Sequence, residues 1–118
     1  MANYKQFSVV AVPFPFTDKD RKKKRPALVV SNPASFDKKI GHSVLAMITS
    51  AKNSSWPLDV KLQNLKESGL PASSVVRMKF FTLDHKLIEK ALGRLSSKDQ
   101  EGVQRALKSL FFERANRS

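Results

Sequence analysis

Ser43-Val44-Leu45-Ala46-Met47-Ile48, halted by Thr49-Ser50, contains the longest uninterrupted apolar run of the chain, Val44 to Ile48. A run this short cannot span a membrane and suits a strand inside a folded core. Upstream, Ala27-Leu28-Val29-Val30 repeats the pattern and is bounded by Ser31-Asn32-Pro33. Phe7 to Phe16 is rich in Val and Phe, but Pro13 and Pro15 cannot donate to a ladder, so its far end is expected at an edge or an exit. Downstream, Leu58 to Leu62 alternates apolar and polar residues, Gly69-Leu70-Pro71 marks a turn, and Ser74 to Phe81 forms a further strand. Charged Asp18 to Lys24 and the segment Phe36 to His42 read as loops.

The period then changes. Asp84 is placed to cap a short helix through Leu87, Ile88 and Ala91, stopped by Gly93. Ser97-Lys98-Asp99-Gln100 has capping-box spacing. After it, Val103, Ala106, Leu107, Leu110 and Phe111 fall on one face of a helix of about four turns. Five short strands without long helices between them predict a mainly β fold, a small barrel or sandwich on which the C-terminal helix packs its stripe. The 118 residues are enough for one domain, taken as 1–118.

Charge is the strongest compositional signal: 22 Lys and Arg against 10 acidic residues, a net +12. Such a surface attracts polyanions, and nucleic acid is the favoured partner ahead of an acidic protein or an anionic membrane. With no cysteine, disulfides and thiolate-held zinc are excluded. No signal-like apolar stretch stands at the start, and the simplest expected location is the cytoplasm. Asp18 and Asp20 lie among six Lys and Arg, which would repel a cation, so no metal is expected there. His42 and His85 read as surface residues rather than an acid–base pair.

Several residues carry two readings. Lys22, Lys23 and Lys24 belong to a solvated loop or hold nucleic-acid phosphates without sequence preference. Arg25, stiffened by the following Pro26 at the mouth of a strand, is suited to gripping a phosphate with two parallel bonds. Thr49 and Ser50 either cap a strand end or point hydroxyls into a cleft. Arg77 interrupts the apolar run Val75-Val76-Arg77-Met78 and is a surface or a site residue. Trp56 either covers the sheet edge or stacks on an unpaired base.

Taken in order, these motifs resemble a known family. Val9 to Asp18 and Lys24-Arg25-Pro26-Ala27-Leu28-Val29-Val30-Ser31 are similar to the N-terminal half of PemK/MazF toxins. Leu45 to Ser50, Gly69-Leu70-Pro71, Ser74 to Arg77, Phe81 to Asp84 and Leu92 to Leu95 follow the same order. The resemblance implies an SH3-like β-barrel with a C-terminal helix and a homodimer with RNA grooves at the subunit interface. It also implies metal-independent, sequence-specific cleavage of single-stranded RNA, restrained by a cognate antitoxin. The family's catalytic arginine falls on Arg25, its threonine on Thr49, and the further arginine of some members on Arg77. The departures are Gln6-Phe7-Ser8 in place of a Gly-Asp turn, Lys79 where some members carry an aspartate, and no first-loop histidine. Lys79 then joins the expected RNA contacts. The rival readings are a non-catalytic nucleic-acid-binding barrel and a gyrase-directed toxin resembling CcdB.

Overall fold

The computed structural model describes residues 4–13, 23–53 and 55–113. Six strands form one antiparallel sheet: β1 Ser8–Pro13, β2 Lys24–Val29, β3 His42–Ser50, β4 Val60–Lys61, β5 Ser74–Asp84 and β6 Lys90–Arg94. Their spatial order is β4-β5-β3-β2-β1-β6. The run Val44 to Ile48 lies near the middle of the sheet in β3, flanked by β2 and β5, which is why it can be apolar throughout. Short helices α1 (Lys38–Ile40) and α2 (Leu65–Ser68) sit in the connections, and α3 (Ser97–Phe111) follows the last strand. Lys22 and the rest of 14–22, including Asp18 and Asp20, fall outside the described residues.

Strand alternation sorts the apolar side chains into two cores. Val9, Leu28, Ala46, Ile48, Val76 and Met78 share one face with Val103 and Ala106 of α3. Val10, Val12, Ala27, Val29 and Leu45 share the other with Ile88. Register shifts in the β1–β6 and β3–β5 ladders bend the sheet into a half-barrel. The expected barrel with a C-terminal helix is thus present as an open, curled sheet. Phe7, in the turn before β1, holds φ 70, a conformation that suits glycine. Its buried ring anchors it there, so the turn survives without a glycine.

Three local expectations need correction. Asp84 does cap a turn, its carboxylate accepting from the Lys86 backbone N–H at 2.9 Å. The turn is one 3-10 turn, His85–Leu87, and the chain then becomes β6 instead of a helix. Pairing to β1 decides this, with Val10 opposite Ala91 and Glu89 N–H donating to Ala11 C=O. The cap of α3 is Ser96, one residue earlier than its capping-box spacing suggests, and its Oγ accepts from Asp99 N–H. Asp99 then accepts from Gln63 and Asn64 N–H and ties α3 to the segment after β4. The stripe of α3 is also only half used: Val103 and Ala106 are buried, whereas Leu110 and Phe111 are exposed.

Gly93 is not a helix stop but a point of close approach. A Cβ there would lie 2.4 Å from Glu67 C=O of α2, and one at Gly69 (φ 73) would lie 2.1 Å from Leu92 C=O. Both contacts are backbone, so neither side can yield by a rotamer change. Gly93→Ala is expected to destabilise the fold by about 2 kcal/mol or more through overpacking. A lower midpoint in urea denaturation, with an unchanged slope, is the expected reading.

The Lys86 N–H bond is the main cause holding the Asp84 carboxyl below its ordinary value of 3.8, with neighbouring His42, Lys86 and His85 assisting against a rise from burial. A depressed carboxyl contributes stability above its unfolded value and loses it as the pH falls through the folded one. Asp84→Ala should therefore lower the melting temperature at neutral pH, and the gap should close as the pH drops below 3.8. A gap that persists in acid would show that the cap acts through something other than its charge.

Candidate nucleic-acid interface

Pairing places the candidate residues more firmly than their spacing does. Ala27 lies opposite Met47, and Met47 lies opposite Arg77. Paired residues share a face, and so do residues two apart on a strand. Arg25, two before Ala27, and Thr49, two after Met47, therefore project on the same face as Arg77. The partner of Arg25 on β1 is Val12, which belongs to the second core and confirms the side. Pro26 brings no N–H to the ladder, and the β2–β3 pairing ends beside it at Ala27↔Met47. Beyond that pair Arg25 and Thr49 continue at the same end of the two strands, where the β2–β3 ladder has stopped.

Thr49 is half-buried, and its Oγ1 accepts from Asn53 Nδ2 at 2.6 Å. That bond uses a lone pair and leaves the hydroxyl hydrogen for another acceptor. Arg77 is only 8% exposed. Its Nε and Nη2 donate to the two oxygens of Asp59 at 3.2 and 3.0 Å, a fork-to-fork pair. The Trp56 N–H adds a third bond to Asp59 Oδ2 at 3.1 Å, and Asp59 N–H returns one to Trp56 C=O. Leu58, inside this turn, takes φ 66. The turn from Trp56 to Asp59 is thus closed on itself and bolted to β5. It replaces most of the strand expected over Leu58 to Leu62, of which only β4 pairs.

The Trp56 ring is 42% exposed, with Arg77 Cζ 5.5 Å and Lys79 Nζ 6.0 Å from its centroid. Two cations over the indole set a flat aromatic surface beside positive charge. Lys61, opposite Val75, and Lys79 extend the same cationic face.

Not every expected residue joins it. Lys24 pairs with Pro13 on the opposite side of β2 from Arg25 and lies 3.7 Å from Glu89 in an exposed ion pair. Ser50 points away from Thr49, and its Oγ accepts from Lys52 N–H as an ordinary turn cap. Lys23 is exposed just before β2. Lys22 lies outside the described residues.

Asp59 is the residue that the sequence reading missed. It looked like the polar half of an alternating strand. The available signal was Arg77 itself: an arginine within an apolar run, once buried, requires a carboxylate partner. The histidines, expected on the surface, are both half-buried. They lie at the far end of the β3–β5 ladder, where His42 pairs with Asp84, away from Thr49. Among the described residues no group of three His, Cys, Asp or Glu converges on a metal-sized space. Among the described residues no helix is long and apolar enough to cross a membrane.

Comparison with known proteins gives the family and the fold. Residues 5–111 match the family model of the PemK-like, MazF-like toxin of type II toxin–antitoxin systems. No curated protein sequence matches significantly. Among solved structures, a mycobacterial endoribonuclease in complex with its cognate antitoxin superposes with a TM-score of 0.73 at 18% identity, covering 96% of this chain and 100% of that one. The Mycobacterium tuberculosis toxin MazF-mt6 gives 0.69 at 17% identity, over 88% and 95%. A MazE-MazF structure from Deinococcus radiodurans gives 0.69 at 21%, over 94% and 97%. At these identities the likeness is one of fold.

The clamp yields a direct measurement. Asp59→Ala strands a largely buried guanidinium and should cost about 2 kcal/mol, discounted from fully buried pairs because both side chains keep some exposure. Asp59→Leu combined with Arg77→Met removes both charges and should recover much of that loss. Additive penalties in this double-mutant cycle would show that the pair contributes no coupling.

Proposed function

Since the chain belongs to the PemK-like, MazF-like toxins of type II toxin–antitoxin systems, we propose that it is an endoribonuclease cutting single-stranded RNA at a specific sequence, without a metal. The observation that carries this reading is the shared face of Arg25, Thr49 and Arg77 at the open end of β2 and β3.

The chemistry follows from what these groups can do. The ribose 2′-OH attacks the adjacent phosphorus, loses its proton as the new O–P bond forms, and expels the 5′-oxygen, which takes up a proton. The products are a 2′,3′-cyclic phosphate and a free 5′-OH. Negative charge builds on the non-bridging oxygens, and Arg25 stabilises it as a fixed cationic donor. Arginine stays protonated, so its role is electrostatic and not that of a base. Thr49 gives its remaining hydroxyl hydrogen to the same phosphate. Asp59 is a positioning residue: it holds Arg77 and the Trp56 turn in one orientation. Trp56 offers the exposed ring on which an unpaired base stacks, between the charges of Arg77 and Lys79.

The partners follow from the same premise. The solved relatives include a toxin bound to its cognate antitoxin. For this chain the expected antitoxin is an acidic protein, matched to a toxin of net +12. We also place the working form as a cytoplasmic homodimer in which two such faces border the RNA groove.

Purified protein should cut a mixed single-stranded RNA in excess EDTA, leaving cyclic phosphate and 5′-OH ends. Arg25→Ala should lower the cutting rate roughly 10²–10³-fold while leaving the melting temperature nearly unchanged. A substrate with a 2′-deoxyribose at the cut site should be inert. Tight RNA binding with no cleavage would instead identify a non-catalytic binding barrel, and damage to DNA on expression would point to a gyrase-directed toxin.

A further inference from the structure

A second set of polar groups lies at the other end of β3, seven residues from Thr49 and therefore about 23 Å along the strand. The turn Pro33–Asp37 carries Asp37 beneath the sheet end, where it is 1% exposed. Ser43, fully buried, donates its hydroxyl to Asp37 Oδ2 at 2.7 Å. Since that hydroxyl has one hydrogen, its oxygen must accept in its other contact, with His85 Nε2 at 2.8 Å. The geometry thus assigns the imidazole proton to Nε2 and leaves Nδ1 with its lone pair. Tyr4 meets the imidazole edge-on at 5.9 Å and fixes its plane. Asp37 Oδ1 is buried without a hydrogen-bond partner among the described residues.

His85 lines an open cavity of about 530 Å³ together with Lys38, Lys39, Ile40, Lys86 and Asp84. Three flexible ammonium groups and an oriented imidazole converge there. Asp84, the acid on the rim, is occupied by the Lys86 N–H, and His42 turns its Nδ1–H to Ile40 C=O. This combination differs from the Arg25 face. It has no guanidinium fork, and it offers point-charge donors around a concavity wide enough for a phosphate with a sugar attached. Exposed Ile40 supplies an apolar wall for that sugar or its base.

We infer that this cavity is a second site that binds a nucleotide phosphate group, with Lys38, Lys39 and Lys86 as its phosphate donors, His85 Nδ1 as an oriented acceptor for a sugar hydroxyl, and Ser43 and Asp37 as positioning residues. The inference stands apart from RNA cleavage, because it uses none of Arg25, Thr49 or Arg77. Two sources share the chemistry: a free nucleotide, and the terminal phosphate of an RNA strand.

The test is an amide-resolved NMR titration of the intact protein with inorganic phosphate, a nucleoside 5′-monophosphate, and a short oligoribonucleotide with or without a 5′-phosphate. Inorganic phosphate and the mononucleotide should both produce saturable shifts at Lys38, Lys39, Gly41 and Lys86. His85→Gln and Ser43→Ala should each weaken the mononucleotide roughly fivefold, as loss or misalignment of one neutral hydrogen bond does. Lys86→Ala, an exposed change that keeps the backbone N–H bonded to Asp84, should weaken it as well, and Arg25→Ala should leave it unchanged. Preference for the 5′-phosphorylated oligonucleotide identifies the strand end as the source; equal binding of both oligonucleotides, with the mononucleotide still bound, identifies the free nucleotide. The proposal is overturned if no saturable shift appears at these amides, or if Lys86→Ala and His85→Gln bind as the parent does.

Discussion

The register of β3 against its two neighbours is the constraint from which the rest follows. Side chains on a strand alternate with a period of two, so a slip of one residue would exchange the faces of every position on β3. In the observed register Ala46 and Ile48 go to the core under α3, while Met47 and Thr49 go to the face that carries Arg25 and Arg77. Burial fixes this choice strongly. Reversing it would drive Ala46 and Ile48 off the α3 core and turn Thr49 into it, leaving a hydroxyl to be satisfied among hydrocarbon. The same packing that closes the core therefore aims the polar residues, and no separate device is needed to bring two distant parts of the sequence onto one face.

What was legible in the sequence follows that logic. Strands β1, β2, β3 and β5 declare themselves because their burial leaves a run or an alternation of apolar residues. Strand β6 does not: Leu87, Ile88 and Ala91 have the spacing of a helix, and only the open edge of β1 turns Lys90–Arg94 into a strand. That edge is a long-range fact, invisible in a window of ten residues. The exposed end of the α3 stripe is a second case. Leu110 and Phe111 have helical spacing and do form helix, but both stay exposed, and Phe80 stacks on Phe111.

Site residues divide in the same way. Arg25 and Thr49 could be singled out because each stands at a strand end with a local reason for its geometry, Pro26 in one case and the end of an apolar run in the other. Lys24 and Ser50 are their sequence neighbours and share the composition argument, yet the pleat turns them to the opposite side. Arg77 in its apolar run called for a carboxylate but did not say which one, and the buried link from His85 to Asp37 left no signal at all. The two links join residues from separate elements across 18 and 48 positions, and neither spacing carries a local signal.

Arg77 shows how a fold can hold a buried charge from outside its own strand. Two residues along that strand stands Lys79, a like charge on the same face, which raises the cost of burying the guanidinium. The carboxylate of Asp59 answers it from the neighbouring turn, with two parallel bonds. A strand-borne partner would hold only the arginine. A turn-borne one also takes the Trp56 N–H, so neutralising the charge and shaping the loop become one interaction. The exposed indole is then fixed by the same bonds that fix the cation beneath it, and a change at either residue must disturb both.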